Sequence, residues 1–402
     1  MPSGSTIKLV HTADFHLGAT FRTLRGPRLE HVRREDFRRN VERVVTECLK
    51  RSVDLLLVSG DVFHYSDPSP RDFVFFARQI GRLAEAGVHV VVIAGNHDLP
   101  KVYGAQNPMQ GLVEAKAPYF RYLQAVPSEP LVLDLRSTRV GIVPIPYVDP
   151  RVVKAAGDRT SYDGFLRDKI GEMRDHEVMA DVDYKILMGH FTVTGALLRP
   201  IFPSMLEEPR VSRSSLGEES FDYIALGHVH TPQRIGERIY YSGSVERIDF
   251  AEEGEGKSFL YVELSPRGLE VEEVPLECRP MVTRRIKLSG SSDPYKAVLE
   301  HVAGVPRGAL LRLFVEGDPL VLKMLEEKRG VLEEELFGKL GIAGYAVKRE
   351  ARSGRAEIPR SPSKLQLRER VLEYIESLEV GERLRRRAKE LAEELMDEVG
   401  LP

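Results

Sequence analysis

Val53-Asp54-Leu55-Leu56-Leu57-Val58-Ser59-Gly60-Asp61 reads as a buried strand that breaks, at a glycine, onto a carboxylate. A short Leu/Val run closed by a turn residue favours strand over helix. The pattern recurs along the chain. Residues 7–12 run into Asp14-Phe15-His16, and residues 88–94 run into Gly95-Asn96-His97-Asp98. Strands at 184–188 and 222–226 run into Gly189-His190 and Gly227-His228-Val229-His230. Helices fit 31–51, with Phe37, Val41, Val44, Val45 and Cys48 on one face, and 70–86. Strands alternating with helices predict an α/β core, in which ligands gather beyond the carboxyl ends of the strands. All five polar motifs stand at that position. Stretches near 139–145, 238–242, 258–264 and 269–276 read as hairpin strands and predict a second sheet packed on the first. The expected fold is a sandwich of two mixed sheets flanked by helices.

The motifs supply Asp14, His16, Asp61, Asn96, His190, His228 and His230. This is an all-nitrogen and oxygen donor set of the size that holds two divalent ions, an arrangement suited to phosphate-ester hydrolysis. Asp61 is the expected bridge, because one carboxylate can hold two cations. Asp14, His16 and His230 are assigned to one ion, and Asn96, His190 and His228 to the other. In an extended segment His228 and His230 would point to opposite faces, whereas in a loop they can diverge toward two ions. The donors suit manganese, iron or zinc, with two manganese ions as the first choice. His97 follows a ligand and is not needed to complete the shell, so it is the candidate general acid. Asp98 either orients His97 or ties down its turn. His64, three residues past Asp61, is placed to touch the phosphate, or is a solvated loop histidine. Glycines 60, 95, 189 and 227 each precede a ligand and are read as permitting a sharp turn. His11, His31, His89, His176 and His301 are read as structural or solvated.

The 402 residues suffice for two or three domains. A hydrophobic content of 42% is ordinary for a soluble globular chain. No apolar run approaches the roughly 20 residues that cross a bilayer. The first residues lack the basic and apolar regions of a signal peptide, which predicts a cytoplasmic protein without membrane contact. Two cysteines, Cys48 and Cys278, exclude a disulfide framework and a four-cysteine zinc site. The 58 basic and 61 acidic residues leave a net charge of -3, which does not advertise a nucleic-acid binder.

The pattern changes near residue 279, dividing a 1–278 domain from a smaller one at 279–349. That domain reads as strand 281–288, helix 293–303, strand 308–315, helix 319–338 and strand 342–348, without a ligand cluster. Residues 350–364 form a polar linker containing Pro, Ser and Gly. Two amphipathic helices follow in 365–402. Leu367, Val371, Tyr374, Ile375 and Leu378 form one apolar stripe, and Leu384, Ala388, Leu391, Ala392, Leu395 and Val399 the other.

The five motifs resemble calcineurin-like metallophosphoesterases. Gly60-Asp61-Val62-Phe63-His64, the following Pro68-Ser69-Pro70 and the overall layout resemble the Mre/SbcD type of DNA double-strand-break repair nuclease. The resemblance is strong over 7–265, looser over the second domain and architectural over the tail. It implies a manganese-dependent nuclease, exonucleolytic on duplex DNA ends and endonucleolytic on single strands. The seven donors match its metal ligands, His97 its catalytic acid and His64 its phosphate-contacting histidine. By the same resemblance, 279–349 is a DNA-contacting cap and 365–402 binds a coiled-coil, SMC-like ATPase. The protein would be nucleoid-associated when on DNA. Arg22, Arg25 and Arg28 head a run continued by Arg33, Arg34, Arg38 and Arg39, which suits phosphate contacts or an ordinary solvated helix face. Phe73-Val74-Phe75-Phe76 puts apolar groups all around one helix turn and predicts a homodimer interface. Two rival readings are a phosphoprotein phosphatase or small-molecule phosphodiesterase on the same scaffold, and a non-catalytic scaffold that recruits an ATPase.

Overall fold

The computed structural model describes residues 5–21, 23–100, 105–156, 161–199, 208–288 and 293–351, and in the tail 372, 375–376 and 382–398. The strands in chain order are β1 (Ile7–Thr12), β2 (Leu55–Val58), β3 (His89–Ile93), β4 (Phe120–Leu123), β5 (Leu131–Leu135), β6 (Thr138–Ile145), β7 (Tyr184–His190) and β8 (Tyr223–Gly227). There follow β9 (Gln233–Arg234), β10 (Ile239–Tyr241), β11 (Lys257–Ser265), β12 (Gly268–Leu276), β13 (Met281–Lys287), β14 (Leu310–Gly317) and β15 (Gly344–Ala351).

Period-two alternation sorts the side chains of β1 to β3 into two layers. Leu9, Leu55, Leu57, Val91 and Ile93 turn inward onto Val140, Ile142, Ile186, Met188 and Ala225 of the second sheet. Val10, Leu56, Val58, Val90 and Val92 turn outward onto Phe37, Val41, Val44 and Cys48 of the helix Leu29–Arg51 and onto Phe76, Ile80 and Leu83 of the helix Pro70–Glu85. Burial on both faces is what a largely parallel sheet requires. Each fully buried aliphatic side chain contributes roughly 1.5–3 kcal/mol of transfer free energy. On the far side, Val143, Leu187, Ile224 and Leu226 pack on Leu166, Ile170 and Met173 of the helix Tyr162–Arg174. The layers are therefore helix, sheet, sheet, helix.

The first sheet has the order β12-β11-β1-β2-β3-β4 and the second β5-β6-β7-β8-β10-β9. Strands β1 to β4 run parallel, as do β6, β7, β8 and β10. All four stretches lie in hairpins, β6 with β5, β10 with β9, and β11 with β12. The structure corrects the sheet they enter: β6 and β10 belong to the second sheet, where they also pair in parallel with β7 and β8, whereas the β11–β12 hairpin joins the first, with β11 antiparallel to β1. β11 can enter the first sheet because both its faces are apolar, Phe259 and Tyr261 outward and Leu260, Val262 and Leu264 inward. The consequence for the site is that three motifs end strands of one sheet and two end strands of the other.

Residues 281–351 build a third sheet, β13-β14-β15, with its own core of Ile286, Val298, Leu313, Val315, Leu322 and Tyr345. The helix expected over 319–338 breaks at Lys328 into Pro319–Glu327 and Arg329–Glu333, followed by a wider turn over Glu334–Lys339. This part packs with the sandwich as one unit up to Glu350. Arg279 joins them through both oxygens of the buried Asp36, at 2.6 and 2.7 Å, and Arg25 pairs its backbone with Tyr345. The tail, Ala351–Pro402, is a separate unit. In it the helix Glu382–Glu398 buries Met396, and Lys389 reaches Glu376 at 3.0 Å. Most of the first predicted tail helix lies outside the described residues. Among the described residues no helix is long and apolar enough to cross a membrane.

Candidate metal centre

Each motif stands at the carboxyl end of its strand, Gly189-His190 as the last two residues of β7 and the others at or just past the end. Asp14, His16, Asp61 and His228 adopt the left-handed region, with φ of 53°, 43°, 53° and 84°. Non-glycine residues rarely do so, and such strain clusters where side chains must be aimed. Of the four glycines ahead of ligands, only Gly60 has positive φ, at 96°. The sharp-turn reading of Gly95, Gly189 and Gly227 is thereby corrected: what they provide is space. A Cβ on Gly227 would stand 1.9 Å from the Ser59 carbonyl oxygen, and one on Gly95 2.0 Å from Asp61 Oδ1.

All seven predicted ligands converge. Asp14, His16 and His230 offer donor atoms mutually within 4.8 Å, as do Asp14, Asp61 and His190. His16 Nε2 and His230 Nε2 face each other at 3.1 Å. Asn96 Oδ1 lies 3.2 Å from His190 Nε2 and 3.0 Å from His228 Nδ1. Asp61 stands between the groups by one oxygen rather than two. Its Oδ1 accepts the His97 backbone N–H at 2.8 Å, while Oδ2 lies 3.7 Å from His16 Nε2 and 3.5 Å from His190 Nε2. Asp14, His16 and His190 are fully enclosed.

Such a cluster of carboxylates and lone-pair nitrogens, buried with few donors to satisfy it, fits cations. The donor chemistry therefore supports a dinuclear metal site. His190 Nδ1 meets the Ser59 carbonyl at 2.7 Å, and a carbonyl can only accept. Nδ1 therefore carries a proton, which leaves Nε2 as the nitrogen available to a metal ion. Burial pushes the Asp61 carboxyl up, yet His190, His97 and His16 around it leave it well below the ordinary carboxylate range. Burial drives the His16 ring well below the usual imidazole range.

His97 Nδ1 donates to the His64 carbonyl at 2.8 Å, and the two rings stack at 5.0 Å with 24° between planes. The remaining His97 nitrogen, Nε2, is the one left to exchange a proton. The Asp98 carboxylate makes no hydrogen bond to the His97 ring. It accepts N–H from Val62, Phe63 and Gly95 at 3.2, 3.1 and 3.0 Å, so it ties down the turn. Three residues at the centre escape sequence reasoning. Glu208 meets His228 Nε2 at 2.6 Å and Glu252 meets His230 Nδ1 at 2.7 Å. Lys257, fully buried, donates to the His230 carbonyl at 2.9 Å.

The arginine run behaves differently. Arg33 and Arg39 pair with Asp36, Arg34 with Glu30, and Arg38 with Glu35 and Asp72. Those four are committed within the fold. Arg25 and Arg28 are exposed, and Arg22 lies outside the described residues. His11 is buried and structural, its Nδ1 2.9 Å from the Tyr223 hydroxyl of the opposite sheet.

This fold and centre define a metallophosphoesterase. The Calcineurin-like phosphoesterase family profile matches residues 7–232, and the chain belongs to that family. Within it, the chain is 27% identical over 293 residues to the SbcD component of the SbcCD nuclease of Escherichia coli (strain K12), covering 66% of each. It is 28% identical over 302 residues to the DNA double-strand break repair protein Mre11 of Aeropyrum pernix, covering 72% of this chain and 66% of that one. The chain thus spans just under two thirds of the length of these relatives.

Proposed function

We propose that this chain is a dinuclear-metal-dependent DNA nuclease, an exonuclease on duplex ends and an endonuclease on single strands, working in double-strand-break repair. The observation that carries the reading is the convergence of two donor groups on Asp61 Oδ2, with His97 beside them. Similarity to relatives named as a nuclease component and as a break-repair protein supports DNA as the substrate. Asp14, His16 and His230 would hold the first ion and Asn96, His190 and His228 the second, with Asp61 between the two groups. Manganese is the preferred metal, with iron and zinc the alternatives. When bound, two divalent ions acidify water for attack and neutralise charge on the phosphate. Asp61 is itself oriented by the His97 backbone N–H and so faces both donor groups. His97 protonates the departing oxygen through Nε2, because Nδ1 is committed to the His64 carbonyl. His64, stacked on His97, meets the phosphate.

Partners follow the same reading. Residues 279–349 act as a cap toward DNA, Arg25 and Arg28 contact its backbone, and residues 365–402 dock on an SMC-like ATPase. A second copy as partner rests on the exposed Val74, since Phe75 and Phe76 are buried. A monomeric mass at micromolar concentration would remove it. The decisive test is digestion of a blunt duplex with titrated manganese and sizing of the products, beside a cyclic nucleotide and a phosphopeptide. Metal-dependent shortening of the duplex is expected. Turnover of the small substrates alone would transfer the protein to the phosphatase or small-molecule phosphodiesterase reading.

A further inference from the structure

His228 and His230 present opposite ring nitrogens to the centre. His228 Nδ1 faces Asn96 Oδ1 at 3.0 Å, and its Nε2 is held by Glu208 at 2.6 Å. His230 Nε2 faces His16 Nε2 at 3.1 Å, and its Nδ1 is held by Glu252 at 2.7 Å. A carboxylate acceptor on one ring nitrogen fixes the proton there and frees the lone pair of the other. The two histidines, separated only by Val229, thus need opposite tautomers, and each has its own carboxylate to impose one.

We infer that Glu252 and Glu208 are separate positioning residues, one for each metal, which lock His230 as the Nδ1–H tautomer and His228 as the Nε2–H tautomer. The inference rests on the two-metal reading above and deepens it. The two carboxylates differ in how firmly they are held. Glu252 is 1% exposed; its other oxygen accepts the Ile248 N–H at 2.8 Å and lies 3.4 Å from Lys257 Nζ. Lys257 also donates to the His230 carbonyl, so ring and backbone of this ligand are gripped from one buried pair. The Glu208 side chain, at 26% exposure, has His228 as its partner and, among the described residues, lacks a buried cation of this kind. The His230 side of the centre is built in, and the His228 side depends on a half-buried carboxylate.

The test is calorimetric titration of manganese into the metal-free, full-length chain, as wild type, Glu252→Gln and Glu208→Gln. The amide keeps the shape but loses the charged acceptor, and removing such a partner weakens metal binding by roughly 10–100-fold. Wild type should bind two ions. Each variant should weaken one, and the double variant both. Cleavage by either variant should recover at raised manganese, which a merely structural lesion would not allow. Should Glu252→Gln fail to fold, nitrogen chemical shifts of the two rings in the wild-type chain read the tautomers directly. Wild-type affinity in both variants, loss of the same ion in both, or matching tautomers for the two rings would overturn the assignment. A wild-type chain that binds no pair of ions would instead overturn the two-metal reading.

Discussion

His97 makes the sharpest single-residue prediction. Its Nδ1 is spent on a backbone carbonyl and its backbone N–H on Asp61, so a change to asparagine removes the proton-carrying nitrogen without removing a predicted ligand. His97→Asn should lower kcat by roughly 10²–10⁴-fold, while a manganese titration still shows two ions; retained turnover would remove His97 from its role. Gly227 predicts a different failure. A methyl there meets the Ser59 carbonyl at 1.9 Å, so Gly227→Ala must shift β8 against the loop after β2. A loss of about 1–3 kcal/mol in chemical denaturation is expected, together with weakened metal binding, because His228 is the next residue. The ligand types were legible in the sequence because each lies within a few residues of a strand end, where a local pattern marks it. Glu208, Glu252 and Lys257 were not. Their contacts with the ligands span 20, 22 and 27 residues and leave no periodic trace. Gly95, Gly189 and Gly227 were found for the wrong reason, because a close approach to neighbouring atoms cannot be told from a turn before the fold is known.

At the scale of elements, strand positions and hairpins were read well and the sheet each enters less well. Val88 through Ala94 announces itself as a strand by composition, but nothing in β6 or β11 states which sheet it enters. Parallel pairing of β6 with β7 is a long-range choice, made by the apolar layer between the sheets. The helix over 319–338 was predicted as one piece because its apolar spacing continues through Lys328, although the chain turns there. The tail carries the element-scale prediction. The helix Glu382–Glu398 exposes Leu391 at 43% and belongs to a unit of its own. Short helices without a core are marginal alone and seek a surface. Truncation after Lys364 should abolish pull-down of the SMC-like ATPase and leave metal-dependent DNA digestion intact; an unchanged pull-down would dismiss the tail as the docking element.

The sandwich is held shut by contacts between its two sheets, and His11 gives them a pH signature. Burial lowers this ring from the usual 6.5 to about 3. Between those values the unfolded chain binds the extra proton, so stability rises with pH across that window. The contribution is complete above about 6.5 and is lost as pH falls toward 3, by about 1.4 kcal/mol per pH unit. His11→Gln keeps a polar group beside Tyr223 but cannot titrate. Denaturation midpoints measured from pH 7 to pH 5 should fall less steeply for it than for wild type, and parallel slopes would show that His11 is not the sensor.

Two consecutive glutamates carry a consequence beyond either one. Glu252 grips the ring of His230, while Glu253 accepts from the backbone N–H and the hydroxyl of Thr283 on β13. Phe250, at the start of the same turn, lies under the Arg312 guanidinium of β14 at 4.6 Å. A single tripod of chain therefore has feet on the catalytic floor and on the neighbouring sheet. A load that tilts β13 and β14 would therefore have a direct route to the His230 imidazole through this turn.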